Sequence, residues 1–233
     1  MSLSHKAVSS LYDEICGYYE LVNSLLTLGL DRYWRKRAAF ILSGSFGNCE
    51  KILDICCGTG DFTEQLIFAF GGNKFYFACD LNKNMLSKAE KRLKNVSFSL
   101  ADCSQLPYEK EKFDLITVSF AARNIFINQE DYKKVSEEIL RVLKKGGHFA
   151  ILETTVPENT ILAKIMFFFV SVSIKAITLL IPSSASSYGF LKNTIINFKT
   201  AKDFSQSLLN AGFSKVSYKI LFPGSVALHI CEK

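Results

Sequence analysis

A chain of 233 residues, 48% hydrophobic and 21% charged, is long enough for one domain with a substantial core and too apolar to stay disordered. Its net charge of +6 is scattered over clusters at 32–37, 88–94, 133–134 and 144–145, which reads as solvated helix faces rather than a nucleic-acid stripe. Seven cysteines without a CxxC pair, behind an N-terminus lacking an apolar signal region, point to a reducing, cytoplasmic setting.

The first 45 residues are expected to be helical, ending in the loop SGSFGN. Strand and helix signals then alternate. Short apolar or β-branched runs predict strands at 51–56, 74–80, 96–102, 113–120 and 148–155. Asp61, with Glu64 three residues on, is expected to cap a helix whose stripe is Phe62, Leu66, Ile67 and Phe70. Met85, Leu86, Ala89 and Leu93 form the next stripe. Tyr132, Val135, Ile139 and Val142 form another, expected to stop at Gly146-Gly147. Such alternation implies a mostly parallel sheet with helical crossovers. Runs 215–222 and 226–233, separated only by Pro223-Gly224-Ser225, must pair antiparallel. Cys56, Cys57, Cys79 and Cys103 fall near strand ends and read as buried packing rather than a metal site.

The stretch LDICCGTGD, residues 53–61, carries the chemistry. In an open parallel sheet, ligands bind beyond the carboxyl ends of the strands, where glycines admit close backbone approach. The first strand delivers Asp54 and then Gly58, Thr59 and Gly60 to that edge; the second ends in Asp80, at a spacing suited to ribose hydroxyls. A dinucleotide would put its pyrophosphate where Asp61 stands, and the third glycine of its fingerprint is here Thr63. S-adenosylmethionine, with a sulfonium and an ammonium, suits an acidic edge better. An adenine-dinucleotide oxidoreductase is the disfavoured alternative. The bland reading is a plain turn with a helix cap.

Several separate runs, in order, resemble the UbiE family, the ubiquinone/menaquinone biosynthesis C-methyltransferases: YELVNSLLTLGLDRYW (19–34), SFAARN (119–124), RVLKKGGHFAILETT (141–155), ASSYGFL (185–191) and VALH near the end. The resemblance implies a seven-stranded, Rossmann-like class I methyltransferase fold in one domain, with an N-terminal helical segment 1–45 and a lid insertion 157–198. It implies S-adenosylmethionine as cofactor and a polyprenylated quinol as acceptor. It also assigns cofactor contacts to Thr59, Asp80, Asp102, Cys103 and Ser119, with Asp54 acting through water or by orienting the turn near the methionine end. The chain departs from the family pattern at Cys56 (commonly Ala), Lys145 (Pro), Ala121-Ala122 (Gly-Leu) and Asp31 (His), and keeps it at Glu20 (Asp or Glu); Asp31 bears on the acceptor mouth.

Methylating a ring carbon needs electron density there, best supplied by a deprotonated hydroxyl held at near-attack distance, roughly 3–3.5 Å. Arg123 is the candidate for stabilising that oxyanion and Asn124 for orienting a ring oxygen, with Tyr19 and Tyr188 shaping the pocket. The alternative for Arg123 is a structural bond to strand-end carbonyls. Residues 161–181, ILAKIMFFFVSVSIKAITLLI, are long enough to span a bilayer, yet Lys164, Ser171, Lys175 and Thr178 share one narrow helical face. They are expected to form an amphipathic lid lying on a membrane surface, peripheral at its inner face, or over the acceptor pocket; a buried cap helix or a homodimer face is the alternative. Nucleic acid is not an expected partner. A noncatalytic cofactor-binding membrane subunit, and a methyltransferase for another apolar acceptor, stay open, as does the choice between menaquinone and ubiquinone branches.

Overall fold

A computed structural model describes residues 27–180, 189 and 193–233. Tyr19, Glu20 and Tyr188 lie outside the described residues. The chain runs α1 (Leu30–Phe46), β1 (Lys51–Ile55), α2 (Asp61–Phe70), β2 (Phe75–Asp80), α3 (Lys83–Arg92), β3 (Val96–Leu100), β4 (Phe113–Ser119), α4 (Ala122–Ile125), α5 (Gln129–Val142), β5 (Leu143–Thr154), α6 (Thr160–Leu180), α7 (Ala201–Asn210), β6 (Lys215–Leu221) and β7 (Val226–Glu232). The seven strands make one sheet, ordered β3-β2-β1-β4-β5-β7-β6. β1 to β5 are parallel, and β7 enters antiparallel between β5 and β6.

Period-two alternation along the strands feeds two layers of core. Leu53, Ile116, Phe149 and Ile151 face one side and pack against Val135, Ile139 and Val142 of α5 and Phe204 and Leu208 of α7. Ile52, Leu115, Ala150 and Leu152 face the other and pack against Trp34, Ala38 and Leu42 of α1 and Phe62 and Leu66 of α2. The strand order reverses between β1 and β4, which opens a crevice at their carboxyl ends. Each of these strands is followed at once by a left-handed residue, Cys56 with φ 51° and Phe120 with φ 55°, so the chain leaves the sheet abruptly on each side of the crevice.

Four local expectations are corrected. The SGSF of the expected loop is the last turn of α1. Asp61 does not cap α2: the N-cap is Gly60, with φ 83°, and Asp61 is the first helical residue. α5 ends at Val142, not at the glycine pair; Gly146-Gly147 lie inside β5, where the register with β4 jumps between Phe113↔Leu143 and Leu115↔His148. A Cβ at Gly147 would sit 2.9 Å from the Lys144 carbonyl, so the pair serves a bulge. β3 stops at Leu100, which puts Asp102 in the following loop. Asn82, Asn128 and Thr200 do cap α3, α5 and α7 through their side chains.

Candidate active site

The glycine turn rests on Asp54. Its carboxylate is 1% exposed and accepts hydrogen bonds from Thr63 Oγ1 of α2 at 2.6 Å and Thr117 Oγ1 of β4 at 2.7 Å. Burial pushes its pKa up to about 6 against the opposing pull of those two hydroxyls. Asp54 therefore ties β1, α2 and β4 together beneath the turn, with each of its oxygens buried against a hydroxyl.

Above it, Gly58 N donates to Asp80 Oδ2 at 2.8 Å, and Asn82 N to Asp80 Oδ1 at 2.7 Å. Two backbone donors fix the carboxylate, and each oxygen keeps a lone pair for a vicinal diol. Burial raises the Asp80 pKa, opposed by these backbone bonds. A Cβ built at Gly58 meets nothing within 4 Å, which leaves that side of the turn open to a ligand. Thr59 is buried and donates to Asp61 Oδ2 at 3.0 Å, while Arg92 Nη1 holds Asp61 Oδ1 at 2.7 Å. Burial pushes Asp61 upward, but Arg35, Arg92 and Thr59 outweigh it and leave its carboxyl below the ordinary value. Asp102 Oδ1 accepts from both Ser104 N (2.9 Å) and Ser104 Oγ (2.8 Å), a closed turn beyond β3. The Cys103 side chain points into the core and hydrogen-bonds the Cys56 thiol, so any adenine contact from Cys103 must come from its backbone. Ser119 ends β4, half-buried, on the opposite lip of the crevice. Asp80, Asp102, Ser119 and the glycine turn thus share one edge, which fits an adenosyl group with a cationic end. Among the described residues there is no cluster that could hold a metal.

Beside this edge lies an apolar cavity of about 370 Å³. α1 supplies Leu30, Asp31, Trp34 and Arg35; the chain after β4 supplies Phe120 and Arg123; α6 roofs it with Leu162, Ile165, Met166, Phe169 and Val170; the β6–β7 turn closes it with Pro223, Gly224 and Ser225. Trp34 Nε1 donates to the Phe222 carbonyl at 2.6 Å, which fastens that turn to α1. Two buried ion pairs mark the wall. Arg123 Nη1 meets Glu153 Oε1 at 2.6 Å, with Glu153 wholly buried. Arg35 Nη1 meets Asp31 Oδ2 at 2.6 Å, and Thr27 Oγ1 donates to Asp31 Oδ1 at 3.0 Å. Asp31 thus stands on the wall of this cavity. Asn124 does not reach the cavity: it sits in the short helix α4 and is buried away from the lining. Glu153, Arg35 and the β6–β7 turn are site elements that the sequence reading missed.

The chain matches the profile of the ubiE/COQ5 methyltransferase family over residues 1–233. It is 30% identical to a demethylmenaquinone methyltransferase of Oceanobacillus iheyensis over 98% of this chain and 96% of that one. It is 33% identical to a ubiquinone/menaquinone biosynthesis C-methyltransferase of Pseudomonas fluorescens over 95% and 87%. A crystal structure of an SAM-dependent methyltransferase from Aquifex aeolicus superposes with a TM-score of 0.58 at 17% identity, over 83% of this chain and 88% of that one.

Proposed function

The chain belongs to the ubiE/COQ5 methyltransferase family and is an S-adenosylmethionine-dependent C-methyltransferase of quinone biosynthesis; from that premise we propose that its acceptor is a polyprenylated quinol whose ring enters the 370 Å³ cavity beside the cofactor edge. That apolar cavity, with a guanidinium on its wall and a helical roof, is the observation that carries the reading. At 370 Å³ it lies near the small end of ligand sites, so it takes a ring and the start of a tail while the rest of the tail leaves beside α6.

Bound S-adenosylmethionine supplies the electrophilic methyl group. The chain's share is to make one ring carbon nucleophilic and to aim it. A quinol carbon gains its density from the ortho oxygen, most strongly when that oxygen is ionised. Arg123, permanently charged and braced by Glu153, favours the oxyanion, and the apolar surroundings strengthen that attraction. Phe120 and Trp34, with ring centroids 6.0 Å apart, give the ring flat apolar walls. Asn124 takes no part in this reading, and Asp54, Gly58, Thr59, Gly60, Asp80, Asp102, Cys103 and Ser119 serve the cofactor as described.

The same reading places the enzyme in the cytoplasm and docked peripherally on the membrane that holds its acceptor. α6 is long and apolar enough to cross a membrane, with a mean hydropathy of 1.9 over Thr160–Leu179. Its inward stripe, Ala163, Val170, Ile174 and Ile177, is however committed to the protein.

The deciding experiment is transfer of labelled methyl from S-adenosylmethionine to demethylmenaquinol and to a benzoquinol of the ubiquinone branch, each in detergent, with Arg123→Ala and Asp80→Ala alongside. Label in either quinol, reduced at least ~100-fold in both variants on the scale of a lost oxyanion donor, supports the proposal and assigns the branch. Cofactor binding without label in either acceptor sinks it.

A further inference from the structure

One arginine of the basic run 32–37 turns inward. Arg35 is 6% exposed, whereas Arg32, Lys36 and Arg37 face solvent. Its guanidinium stacks 5.1 Å from the Phe120 ring and donates through Nη1 to Asp31. Among the described residues that is its one hydrogen-bonding partner, and Nε is buried without any. A guanidinium carries five N–H donors, and leaving buried charged donors idle is costly. The guanidinium therefore has buried donors to offer a further acceptor atom.

Its surroundings say which. α1 packs on α2, and the charge of Arg35 is near enough to the glycine turn to oppose the effect of burial on both Asp61 and Asp54. This is the end of the crevice opposite Asp80 and Asp102. A ribose on Asp80 puts the methionine portion of the cofactor here. That portion holds two cations, sulfonium and ammonium, and one anion, the α-carboxylate. Asp54 and Asp61 favour the cations and oppose the carboxylate. Arg92, the other cation at the turn, is one third exposed and already spent on Asp61 at 2.7 Å.

We propose that Arg35, braced by Asp31, binds the α-carboxylate of S-adenosylmethionine, leaving Arg123 as the arginine that serves the acceptor. Asp31 is then a positioning residue. It fixes one edge of the guanidinium so that the remaining donors face the crevice. The acidic residue at position 31 acts on the cofactor even though it lines the acceptor mouth.

The test removes the carboxylate from each side of the contact. Calorimetric Kd values for S-adenosylmethionine and its decarboxylated analogue are measured on wild type, Arg35→Lys, Asp31→Asn and the double variant Asp31→Asn/Arg35→Met, which strands no unpaired charge. Wild type should bind the analogue roughly tenfold to a hundredfold more weakly, as a charged hydrogen bond implies. The double variant should bind the intact cofactor more weakly by a similar factor and no longer distinguish the two ligands. Arg35→Lys and Asp31→Asn should discriminate less than wild type. Undiminished discrimination in Arg35→Lys and the double variant overturns the proposal, as does an equal loss for both ligands. Unchanged affinity for the intact cofactor in the double variant overturns it too. No acceptor enters the binding assay, so its outcome is independent of which quinol the enzyme methylates.

Discussion

Gly58 and Gly60 both have positive φ, yet they serve different ends. At Gly58 a Cβ would meet open space, so only backbone strain and the ligand oppose a side chain. At Gly60 it would lie 2.8 Å from Leu93 Cδ1 and 3.2 Å from Ala89 Cβ, against α3. Gly58→Ala should cost roughly 1–2 kcal/mol from the left-handed backbone alone and abolish most of the thermal shift given by S-adenosylhomocysteine. Gly60→Ala should cost about 1–3 kcal/mol more from overpacking while keeping part of that shift. Melting curves with and without the ligand separate the two, and equal behaviour would refute the assignment of Gly58 to the cofactor.

Asp54 makes a prediction in pH. Its folded pKa of about 6 lies above the ordinary 3.8, so the folded state holds the proton more tightly than the unfolded chain. Its contribution is thus most favourable below pH 4 and is lost as pH rises towards 6, by about 3 kcal/mol at 1.36 kcal/mol per unit. In Asp54→Asn that slope disappears. The stability of the variant relative to wild type should rise across pH 4–6, measured by urea unfolding at each pH; a flat difference would show that Asp54 is ionised throughout.

Among elements, α6 is the one whose two sides disagree. Its buried stripe faces the protein, but Ile161, Phe168, Val172 and Leu179 share the opposite face and are 49–82% exposed. Lys164 and Lys175 run along the edge of that exposed stripe. An apolar face edged by cations, above a cavity for a lipid-tailed acceptor, matches an anionic bilayer. Phe168→Ser with Leu179→Ser should reduce sedimentation with vesicles containing anionic lipid severalfold, without changing cofactor affinity. Should the double variant sediment like wild type, the face meets something other than lipid. The helix itself and its polar strip were legible in sequence, because Lys164, Ser171, Lys175 and Thr178 recur at helical spacing. The second apolar face was not, since periodicity cannot say which of two apolar sides is covered. The same blindness hid Arg35 and Glu153. Charge was read as surface, although Arg35 stands four residues after Asp31 and beside Trp34 on a stripe continued by Ala38 and Leu42, and Glu153 closes an apolar strand run. The five parallel strands were readable from their apolar runs, and the glycine turn from its position after the first. Gly146-Gly147 misled because a bulge needs glycines as much as a helix stop does.

At the scale of the molecule, the acceptor cavity joins parts of the chain that are remote in sequence. α1, the exit from β4, the lid α6 and the last hairpin each give a wall, and Trp34 binds the first of these to the last through Phe222. Trp34 is the single tryptophan of the chain and is 4% exposed, so its emission comes from the cavity wall and from nowhere else. A quinone seated there should quench it, because an electron-poor ring in contact with indole accepts its excitation. Titration with a demethylmenaquinone analogue bearing a short prenyl tail should give saturable quenching, and the tail-free ring should bind more weakly, by about 0.8 kcal/mol for each buried methylene it lacks. Phe169→Ala, which thins the α6 roof, should reduce the advantage of the tail more than the affinity of the bare ring. Equal affinities for tailed and tail-free rings would mean that α6 does not line the route of the tail, and the cavity would have to be assigned to a smaller acceptor.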